Sequence, residues 1–444
     1  MNKDDARVAL TETLLPAYAK ELANLDRIDK WVNNTQSYAH NRSSQREKRY
    51  LEKLSRTPWL RLIVTSAAQM LYVERVYSSE RDVQEMWGPW NKNRMDKLQV
   101  PLHTAAIQYG SAYLMVLPGD RGARMTVHSP REMMALYQDP VNDEWPMLAV
   151  EVKNQPGGAQ HISVIDEEKR WTFTRENVDA KMQFVTEEVH GVGVCPVVRF
   201  CPRIDLDDHA EGEVKPYIST AARLIETDNN RLQVQRYNSW RIRTAEGLDD
   251  DASDEDLERT KQKLEHEDIL TGTGETKFGT LDATEMNGFI AAHDSDLEAL
   301  AAVSQTRTTA LTGKMVNVSA DAIVEANRSA YSKRDEFQLS FGGSHVQGLR
   351  LASFIEGRVE DAKDYSIRCG WADTDSLTMS ASVDALGKAS QMLGVPAMKL
   401  WPLIPGIDQT TAEEWASYAE SHPSDDDAAA VAYARQVMSD GSDA

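Results

Sequence analysis

The stretch that decides the fold is KPYISTAARLIETDNNRLQVQRYNSWRIRTAEG, residues 215–247. Between Pro216 and Gly247 it contains no further proline or glycine. Proline is tolerated in the first turn of a helix and glycine often follows the last turn, so both ends carry helix-boundary signals. The pattern predicts one helix over residues 215–246, about 45 Å long at roughly 1.5 Å per residue. Such a length is unusual in a globular domain.

Two more long helices follow in the sequence. Apolar residues at helical spacing predict a second helix over residues 283–311 and a third over residues 319–341. Gly342 and Gly343 are expected to interrupt the third, and a further helix is predicted at 345–360. The sequence therefore predicts two rod-like helices that bracket a small insertion, with a third across a short loop.

The insertion between the first two helices is short and mixed. It begins with an acidic run at 249–256, and Ser253 with Asp256 favours a capped helix that ends near His266. Residues 269–274 and 276–281 are predicted to form a glycine-broken pair of strands.

The flanking regions differ in character. Residues 1–100 have apolar positions at helical spacing, whereas residues 111–200 alternate and are rich in β-branched side chains. A helix is predicted at 380–393, and the Ser- and Asp-rich residues after Pro423 are expected to be mobile. The fold class predicted is α+β and mostly helical.

Composition excludes some functions. Asp and Glu number 70 against 49 Lys and Arg, a formal net charge of -21. A protein that grips nucleic acid tightly normally presents a basic stripe, which this composition does not favour. Three cysteines fit a reducing interior. Without a secretory signal or a long apolar run, we expect synthesis in the cytosol and no membrane anchor.

Sequence motifs for catalysis do not assemble. Thr312-Gly313-Lys314 resembles the end of a phosphate-binding loop, but Thr308 replaces its first glycine and Met315 its Ser or Thr. The ten histidines do not lie at metal-ligand spacing from one another. No catalytic, cofactor-binding or metal-binding residue is predicted, and no cofactor.

Several separated blocks carry a family resemblance. They are WLRLIV (59–64), MWGPWNKNRMD (86–96), His103, YGSAYLMV (109–116), VHSPRE (127–132), GVCPVVRF (193–200) and GWAD (370–373). In this order, over about residues 50–420, the blocks resemble the portal proteins of long-tailed bacteriophages, the head-to-tail connector subunits of siphophages.

The resemblance implies a portal fold with wing, stem, clip and crown, and long stem helices around a central channel. The implied parts are a wing at 1–214, stem helices at 215–246 and 283–306, a clip at 247–282, a tunnel loop at 307–318, a long wing helix at 319–360, a crown at 361–423 and a mobile acidic tail at 424–444.

It also implies a structural role without catalysis. Usually twelve subunits would form a ring at one capsid vertex of the virion, assembled in the host cytoplasm, through which the viral genome is packaged and ejected. The implied partners are the terminase large subunit, a head–tail adaptor, the major capsid protein and a scaffolding protein. Double-stranded viral DNA would pass without sequence specificity, and no membrane is involved.

Three groups of candidate site residues follow from these parts. The tunnel-loop candidates, with Lys314 expected to face the lumen, are Arg307, Thr308, Thr309, Thr312, Gly313, Lys314 and Asn317. The stem candidates, expected to form ion pairs between subunits or to meet DNA, are Arg236, Arg241, Arg243, Asp294, Asp296 and Glu298. The clip candidates for partner docking are Asp249, Asp250, Asp251, Asp254, Glu255 and Asp256.

For each group, the alternative that the residues are solvated and have no specific role stays open. The tunnel-loop residues equally fit a solvated connection, and an acidic run is often a solvated face. Two other functions also remain: another minor head protein of the virion, and a metal-dependent nucleic-acid-processing enzyme whose carboxylates converge from distant segments. Particle images of the purified chain would separate a portal from the first alternative, because only the portal gives rings with a central hole, and metal-dependent nuclease activity would identify the second.

Overall fold

The computed structural model describes residues 1–36, 46–78, 83–206, 210–239, 243–246, 277–280, 284–313, 320–372, 379–404, 407 and 409–422. The chain divides into two compact units. The first consists of Met1–Gln69, Pro101–Met115 and Thr126–Phe341. The second consists of Met70–Val100, Val116–Met125 and Gly342–Ala444.

The helices of the described residues differ widely in length. They are α1 (Lys3–Ala9), α2 (Leu15–Val32), α3 (Arg46–Leu54), α4 (Trp59–Ala68), α5 (Trp87–Lys92), α6 (Met95–Tyr109), α7 (Ile218–Ser239), α8 (Asn287–Val303), α9 (Thr308–Thr312), α10 (Ala320–Ile355), α11 (Val359–Ala362), α12 (Met379–Leu393), α13 (Ala397–Leu400) and α14 (Gln409–Ser421).

The strands lie mostly between α6 and α7. They are β1 (Val73–Tyr77), β2 (Ala112–Gly119), β3 (Gly122–His128), β4 (Met133–Leu136), β5 (Leu148–Asn154), β6 (Gln160–Ile165), β7 (Lys169–Arg175), β8 (Gln183–Val189), β9 (Val197–Phe200), β10 (Arg243–Glu246), β11 (Lys277–Thr280) and β12 (Arg368–Trp371). The predicted mixture of helices and strands is confirmed.

In the first unit, an N-terminal helical segment covers a five-stranded antiparallel sheet of order β4-β5-β6-β7-β8. A π-helical turn at Leu10–Leu14 joins α1 to α2. Alternate residues of the central strands point to one face because the side-chain period of a strand is two. The core that results contains Ala6, Leu10, Leu14, Tyr18, Val150, Val152, Ile162, Val164, Trp171 and Phe173.

Helices α7 and α8 lie antiparallel in the first unit. Arg223 bonds to Asp296 early in α7, and Asn238 bonds to the Thr284 backbone at its end, so the partners run in opposite order. The pairing continues in strands β10 and β11, where Arg243 is opposite Thr280. Among the described residues, α7 thus runs antiparallel to α8, and β10 antiparallel to β11.

The first long helix is shorter than predicted. Helix α7 covers Ile218–Ser239, about 33 Å at roughly 1.5 Å per residue. The prediction of helix is wrong for residues 243–246, whose backbone pairs with Lys277–Thr280 instead. The predicted partner of that second strand, 269–274, lies outside the described residues.

The other two long helices also differ from their predicted bounds. Helix α8 ends at Val303, because Gln305 takes a positive φ of 49° that a continuing helix cannot accommodate. The predicted break at Gly342 and Gly343 is wrong, since α10 runs through both. Each glycine costs about 1 kcal/mol in a helix, which the buried neighbours of α10 outweigh.

In the second unit, β1 pairs antiparallel with β12. The ring of Trp371 in β12 lies close to the backbone of Gly342, where an added Cβ would be 3.7 Å from the indole. The thiol of Cys369 also donates to the Gly342 carbonyl. A glycine on this face of α10 therefore lets β12 approach the helix closely.

Candidate functional site

A buried ion pair lies where the hairpin of α7 and α8 meets α10. The Lys333 ammonium on α10 donates to Glu213 Oε2 and, at 2.8 Å, to the Ser304 carbonyl just after α8. Both charged side chains are only 4% exposed. Glu213 precedes α7 in sequence, so this contact joins the start of α7, the end of α8 and the middle of α10. We call Glu213, Lys333, Ser304, Tyr217 and Arg203 the root cluster.

The outer part of the root cluster is more exposed. Arg203 Nη1 lies 3.5 Å from Glu213 Oε1, and its Nη2 lies 3.1 Å from Glu336 on α10. Tyr217 Oη donates to Glu213 Oε2 at 3.3 Å. Glu213 therefore has two cations and a phenol around one buried carboxylate, which compensates its desolvation.

Electrostatics of the root cluster follow from burial. Burial lowers the pKa of the Lys333 ammonium, and the Glu213 carboxylate opposes that shift. Burial and the Glu213 carboxylate together raise the pKa of Tyr217. The group holds three helices together, because separating Lys333 from Glu213 would leave a charge buried without a partner.

Backbone packing fixes Glu213 in place. The Glu213 N–H donates to the Ile107 carbonyl of α6 at 2.7 Å. A Cβ added at Gly212 would lie 2.6 Å from the Gly110 nitrogen and 2.7 Å from the Ile107 oxygen. Only glycine lets the chain pass this close to the end of α6, so the position of the carboxylate depends on Gly212.

Further along the hairpin, acidic side chains pair within the chain. Asp296 Oδ1 accepts from Arg223 Nε at 2.7 Å. Asp228 is buried and lies 2.9 Å from Arg231 and 3.7 Å from His293. Burial raises the pKa of Asp228, although the positive charges of both neighbours act to lower it. Arg223 with Asp296, and Asp228 with His293, thus join α7 to α8.

The predicted ion pairs between subunits stay predictions, and within the chain the stem candidates have the following neighbours. Asp296 pairs with Arg223 of the same chain, and Asp294 lies 3.6 Å from His293. Arg243 does not share the helix with Arg236, because it lies in strand β10. Arg236 and Glu298 are exposed on α7 and α8, and Arg241 lies outside the described residues.

The predicted tunnel loop is partly helical. Arg307 precedes α9, its guanidinium 5.2 Å from the Tyr331 ring, and α9 contains Thr308, Thr309 and Thr312. Gly313 ends that helix with a φ of 64°, the left-handed conformation that glycine adopts easily. Lys314 and Asn317 lie outside the described residues, as do Asp249, Asp250, Asp251, Asp254, Glu255 and Asp256.

The root cluster was not predicted from the sequence, although the sequence contains a signal for a buried lysine. Lys333 stands in the buried stripe of α10 between Ala330 and Phe337, at spacings of three and four residues. A lysine on the apolar face of a helix requires a partner, because an isolated buried ammonium is costly. The identity of that partner needed the fold, since Glu213 is 120 residues away in sequence.

Two further features, a metal-ion cluster and a membrane-spanning helix, were sought among the described residues. Within the described ranges, no group of three or more His, Cys, Asp or Glu side chains is arranged to hold a metal ion. No helix within those ranges combines the length and apolar character that crossing a membrane requires.

The chain matches one protein-family model over most of its length. The model of "Phage portal protein, SPP1 Gp6-like" matches residues 12–422. A chain of a structure described as "Virion of native gene transfer agent (GTA) particle" is 12% identical, with a TM-score of 0.43, over 79% of this chain and 90% of that chain.

A chain of "Neck of native GTA particle computed with C12 symmetry" is 14% identical, with a TM-score of 0.40, over 76% of this chain and 84% of that chain. No curated protein matches the sequence. The family model spans most of the chain and confirms the predicted resemblance. This chain is therefore a member of the SPP1 Gp6-like family of phage portal proteins.

Proposed function

We propose that this chain is the subunit of a ring of twelve that stands at one vertex of a phage capsid and conducts the genome in both directions. The observation that carries the proposal is the α7–α8 hairpin, fixed at its root by a buried ion pair. A rigid, antiparallel helix pair is the element from which copies side by side would enclose a channel. Membership of the portal family supports this role.

We assign the parts of the portal on that basis. The helices α7 and α8 are the stem, residues 247–282 the clip, residues 307–318 the tunnel loop and residues 361–423 the crown. The remainder, residues 1–214 together with the long helix at 319–360, is the wing, and residues 424–444 are a tail. The root cluster then lies where stem and wing meet.

The charge of the chain suits a channel that does not hold DNA. Each phosphate that Lys or Arg neutralises releases counterions and adds affinity, so a basic lining would slow a sliding duplex. The formal net charge of -21 per subunit keeps that attraction weak. Passage without sequence specificity follows, because no fixed contact to bases is required.

We propose that the tunnel loop makes the transient contacts with the passing duplex. Lys314 directly follows Gly313, whose backbone is left-handed, and we propose that its ammonium contacts phosphates from the lumen. Replacing Lys314 by Ala should lower the amount of DNA packaged or retained per particle, whereas Lys399→Ala, in the proposed crown, should not. Unchanged packaging and retention for Lys314→Ala would contradict this role.

The acidic run at 249–256 is proposed as the docking surface for the terminase large subunit and later for a head–tail adaptor. Replacing its six acids by Ser should weaken binding of at least one of these partners, while ring assembly continues. Binding of both at wild-type strength would contradict the assignment. The major capsid and scaffolding proteins would contact the wing, with assembly in the host cytoplasm.

We also propose that the exposed stem charges act between subunits. Arg236 on α7 and Glu298 on α8 are exposed, and adjacent hairpins in a ring would bring opposite faces of the stem together. The charge reversals Arg236→Glu and Glu298→Arg, made singly, should each weaken assembly. No change in assembly for either variant would exclude a role of these charges between subunits.

The proposal as a whole is tested by packaging. Procapsids assembled with this chain should protect genome-length DNA from nuclease in the presence of terminase and ATP, and procapsids without it should not. DNA packaging that does not depend on the chain would contradict the function. Divalent-metal-dependent DNA cleavage by the purified chain would instead support the enzyme alternative.

A further inference from the structure

The connection between α8 and α10 carries an arginine whose side chain contacts the long helix. The guanidinium of Arg307 lies 5.2 Å from the centre of the Tyr331 ring on α10. A second guanidinium, that of Arg334 one turn further along the same helix, lies 5.0 Å from the centre of the same ring. We call Arg307, Tyr331 and Arg334 the arginine clamp, because one aromatic ring receives both cations.

The surroundings of the arginine clamp strengthen its contacts. The attraction between a cation and an aromatic face grows where water is excluded. The Nε atom of Arg307 is shielded from solvent, and the Arg334 side chain is only 14% exposed. The two guanidinium groups repel each other, but Asp335, whose Oδ1 accepts from Arg334 Nε at 2.9 Å, offsets part of that repulsion. The ring can therefore hold Arg307 against α10 although a like charge is near.

Helix α9 begins at the arginine clamp. Arg307 is the N-cap residue of α9, and its carbonyl accepts from the N–H groups of Ala310 and Leu311. The Leu311 side chain is buried, which anchors the same short helix a second time. Just before Arg307, the N–H of Thr306 donates to the Ala301 carbonyl at 3.1 Å. The first turn of α9 is thus fixed to both α8 and α10.

A second contact from α10 holds the same connection three residues earlier. Lys333 donates to the Ser304 carbonyl at 2.8 Å, and Ser304 is fully buried. Lys333 lies between Tyr331 and Arg334 in the sequence, so neighbouring residues of one helix hold the connection at two points. Where α10 moves, the start of the proposed tunnel loop has to follow.

We propose that the arginine clamp positions the start of the tunnel loop on α10, so that Arg307 is a positioning residue and not a contact to DNA; this role rests on the function proposed above. A guanidinium that contacts phosphates presents its N–H donors to them. The guanidinium of Arg307 is instead held against an aromatic ring, with its Nε away from solvent. Its effect on DNA therefore passes through the placement of the loop.

Limited digestion of the full-length chain with trypsin tests the arginine clamp itself. Trypsin cleaves after Arg307 when the segment around it detaches transiently from the structure. Tyr331→Leu removes the aromatic face and keeps a good helix former, so cleavage after Arg307 should become about tenfold faster. Tyr331→Phe keeps the ring and should behave as the wild type. Cleavage after Arg328, an exposed residue one turn earlier on α10, is the internal reference and should not change.

DNA retention by packaged particles tests the positioning role. Tyr331→Leu should form rings as the wild type does and retain several-fold less DNA, whereas Tyr331→Phe should retain the wild-type amount. Adding Arg307→Met to Tyr331→Leu should cause no further loss, because both substitutions act through one contact. Tyr50→Leu is the matched control, since Tyr50 is 58% exposed on α3 and should change neither measurement.

The outcomes separate the arginine clamp from the proposed function. Wild-type digestion of Tyr331→Leu, or equal acceleration after Arg307 and Arg328, would overturn the clamp. Faster digestion after Arg307 with normal DNA retention would overturn the positioning role and leave the portal function intact. A further loss of retention in the double variant would assign Arg307 to the DNA instead. A wild-type chain that packages no DNA would contradict the proposed function and with it the positioning role.

Discussion

The root cluster and the C-terminal segment, residues 379–422, are opposite solutions to the problem of holding helices in place. At the root, two charged side chains are buried at 4% exposure, and each meets its partner within the chain. In the C-terminal segment, apolar side chains such as Met392 and Leu393 are 80% and 77% exposed. The buried charges of the root cluster find their partners within a single copy, whereas the C-terminal segment leaves apolar surface exposed.

The difference indicates which parts of the molecule are held rigidly within one chain and which have few buried contacts. A buried ion pair tolerates little change, because moving one partner leaves the other charge desolvated. Altering an exposed apolar face should change the stability of the single chain little. Substitutions in the two regions should therefore differ in how much they destabilise the chain.

The largest effect is expected at the root. Lys333→Met should lower the free energy of unfolding by about 3–5 kcal/mol, because Glu213 is left buried without its closest cation. The double variant Glu213→Leu/Lys333→Met should recover most of that loss. Urea unfolding of the monomer measures both.

Arg328→Ala is the control on the same helix, because Arg328 is 74% exposed. Its effect should stay within about 0.5 kcal/mol. A Lys333→Met variant as stable as the control would show that the two regions do not differ in the way described.

A second buried polar group, His128 at the end of β3, extends the comparison to pH. Burial lowers the pKa of His128 from 6.5 to about 4, although Glu151 lies 3.4 Å away. The unfolded chain then binds the proton more readily, so the stability contributed by neutral His128 is present above pH 6.5 and lost as the pH falls towards 4. The loss over that range is about 3 kcal/mol.

Unfolding free energies at pH 7 and pH 4.5 measure this effect. His128→Asn should flatten the difference between the two pH values, while His190, whose pKa burial also lowers, contributes equally to both proteins. An unchanged pH dependence in the variant would assign the acid sensitivity to other groups.

Gly212→Ala should destabilise the root by about 1–3 kcal/mol, since the new methyl group meets backbone atoms that cannot move aside. Gly343 offers a matched control, because a Cβ there meets nothing within 4 Å. Gly343→Ala should stabilise α10 by up to about 1 kcal/mol. Thermal unfolding distinguishes the expected loss of stability in Gly212→Ala from the expected gain in Gly343→Ala. A Gly212→Ala variant with wild-type stability would mean that this close approach does not hold Glu213 in place.

The smallest effect is expected for the exposed pair between α7 and α8. Arg223 is 56% exposed, so its coupling to Asp296 should be below about 1 kcal/mol and should fall with added salt. A double-mutant cycle with Ala at both positions measures the coupling. A value as large as that expected for Lys333 and Glu213 would contradict the distinction between buried and exposed pairs.

The sequence allowed the family and the helical hairpin to be predicted, because helix-boundary residues and separated motifs are local signals. The end of α7 at Ser239 could not be predicted, since residues 243–246 become a strand through pairing with Lys277–Thr280. Helix α10 likewise continues through Gly342, where Trp371, a residue 29 positions further along the chain, packs against it. In each case a nonlocal contact overrides a local preference.

The candidate site was predictable only in outline. The predicted pairing of the stem charges between subunits stays a prediction, and within the chain Asp296 pairs with Arg223, a residue outside the predicted group. The root cluster depends on residues 120 positions apart, and no spacing rule connects them. The roles of the tunnel-loop and clip residues remain predictions.

Electron cryo-microscopy of the purified, assembled chain tests the central claim most directly. We expect a ring of twelve copies in which α7–α8 hairpins stand side by side and enclose a hole wide enough for duplex DNA. A chain that stays monomeric under capsid-assembly conditions would contradict it. So would a ring in which the hairpins lie away from the hole.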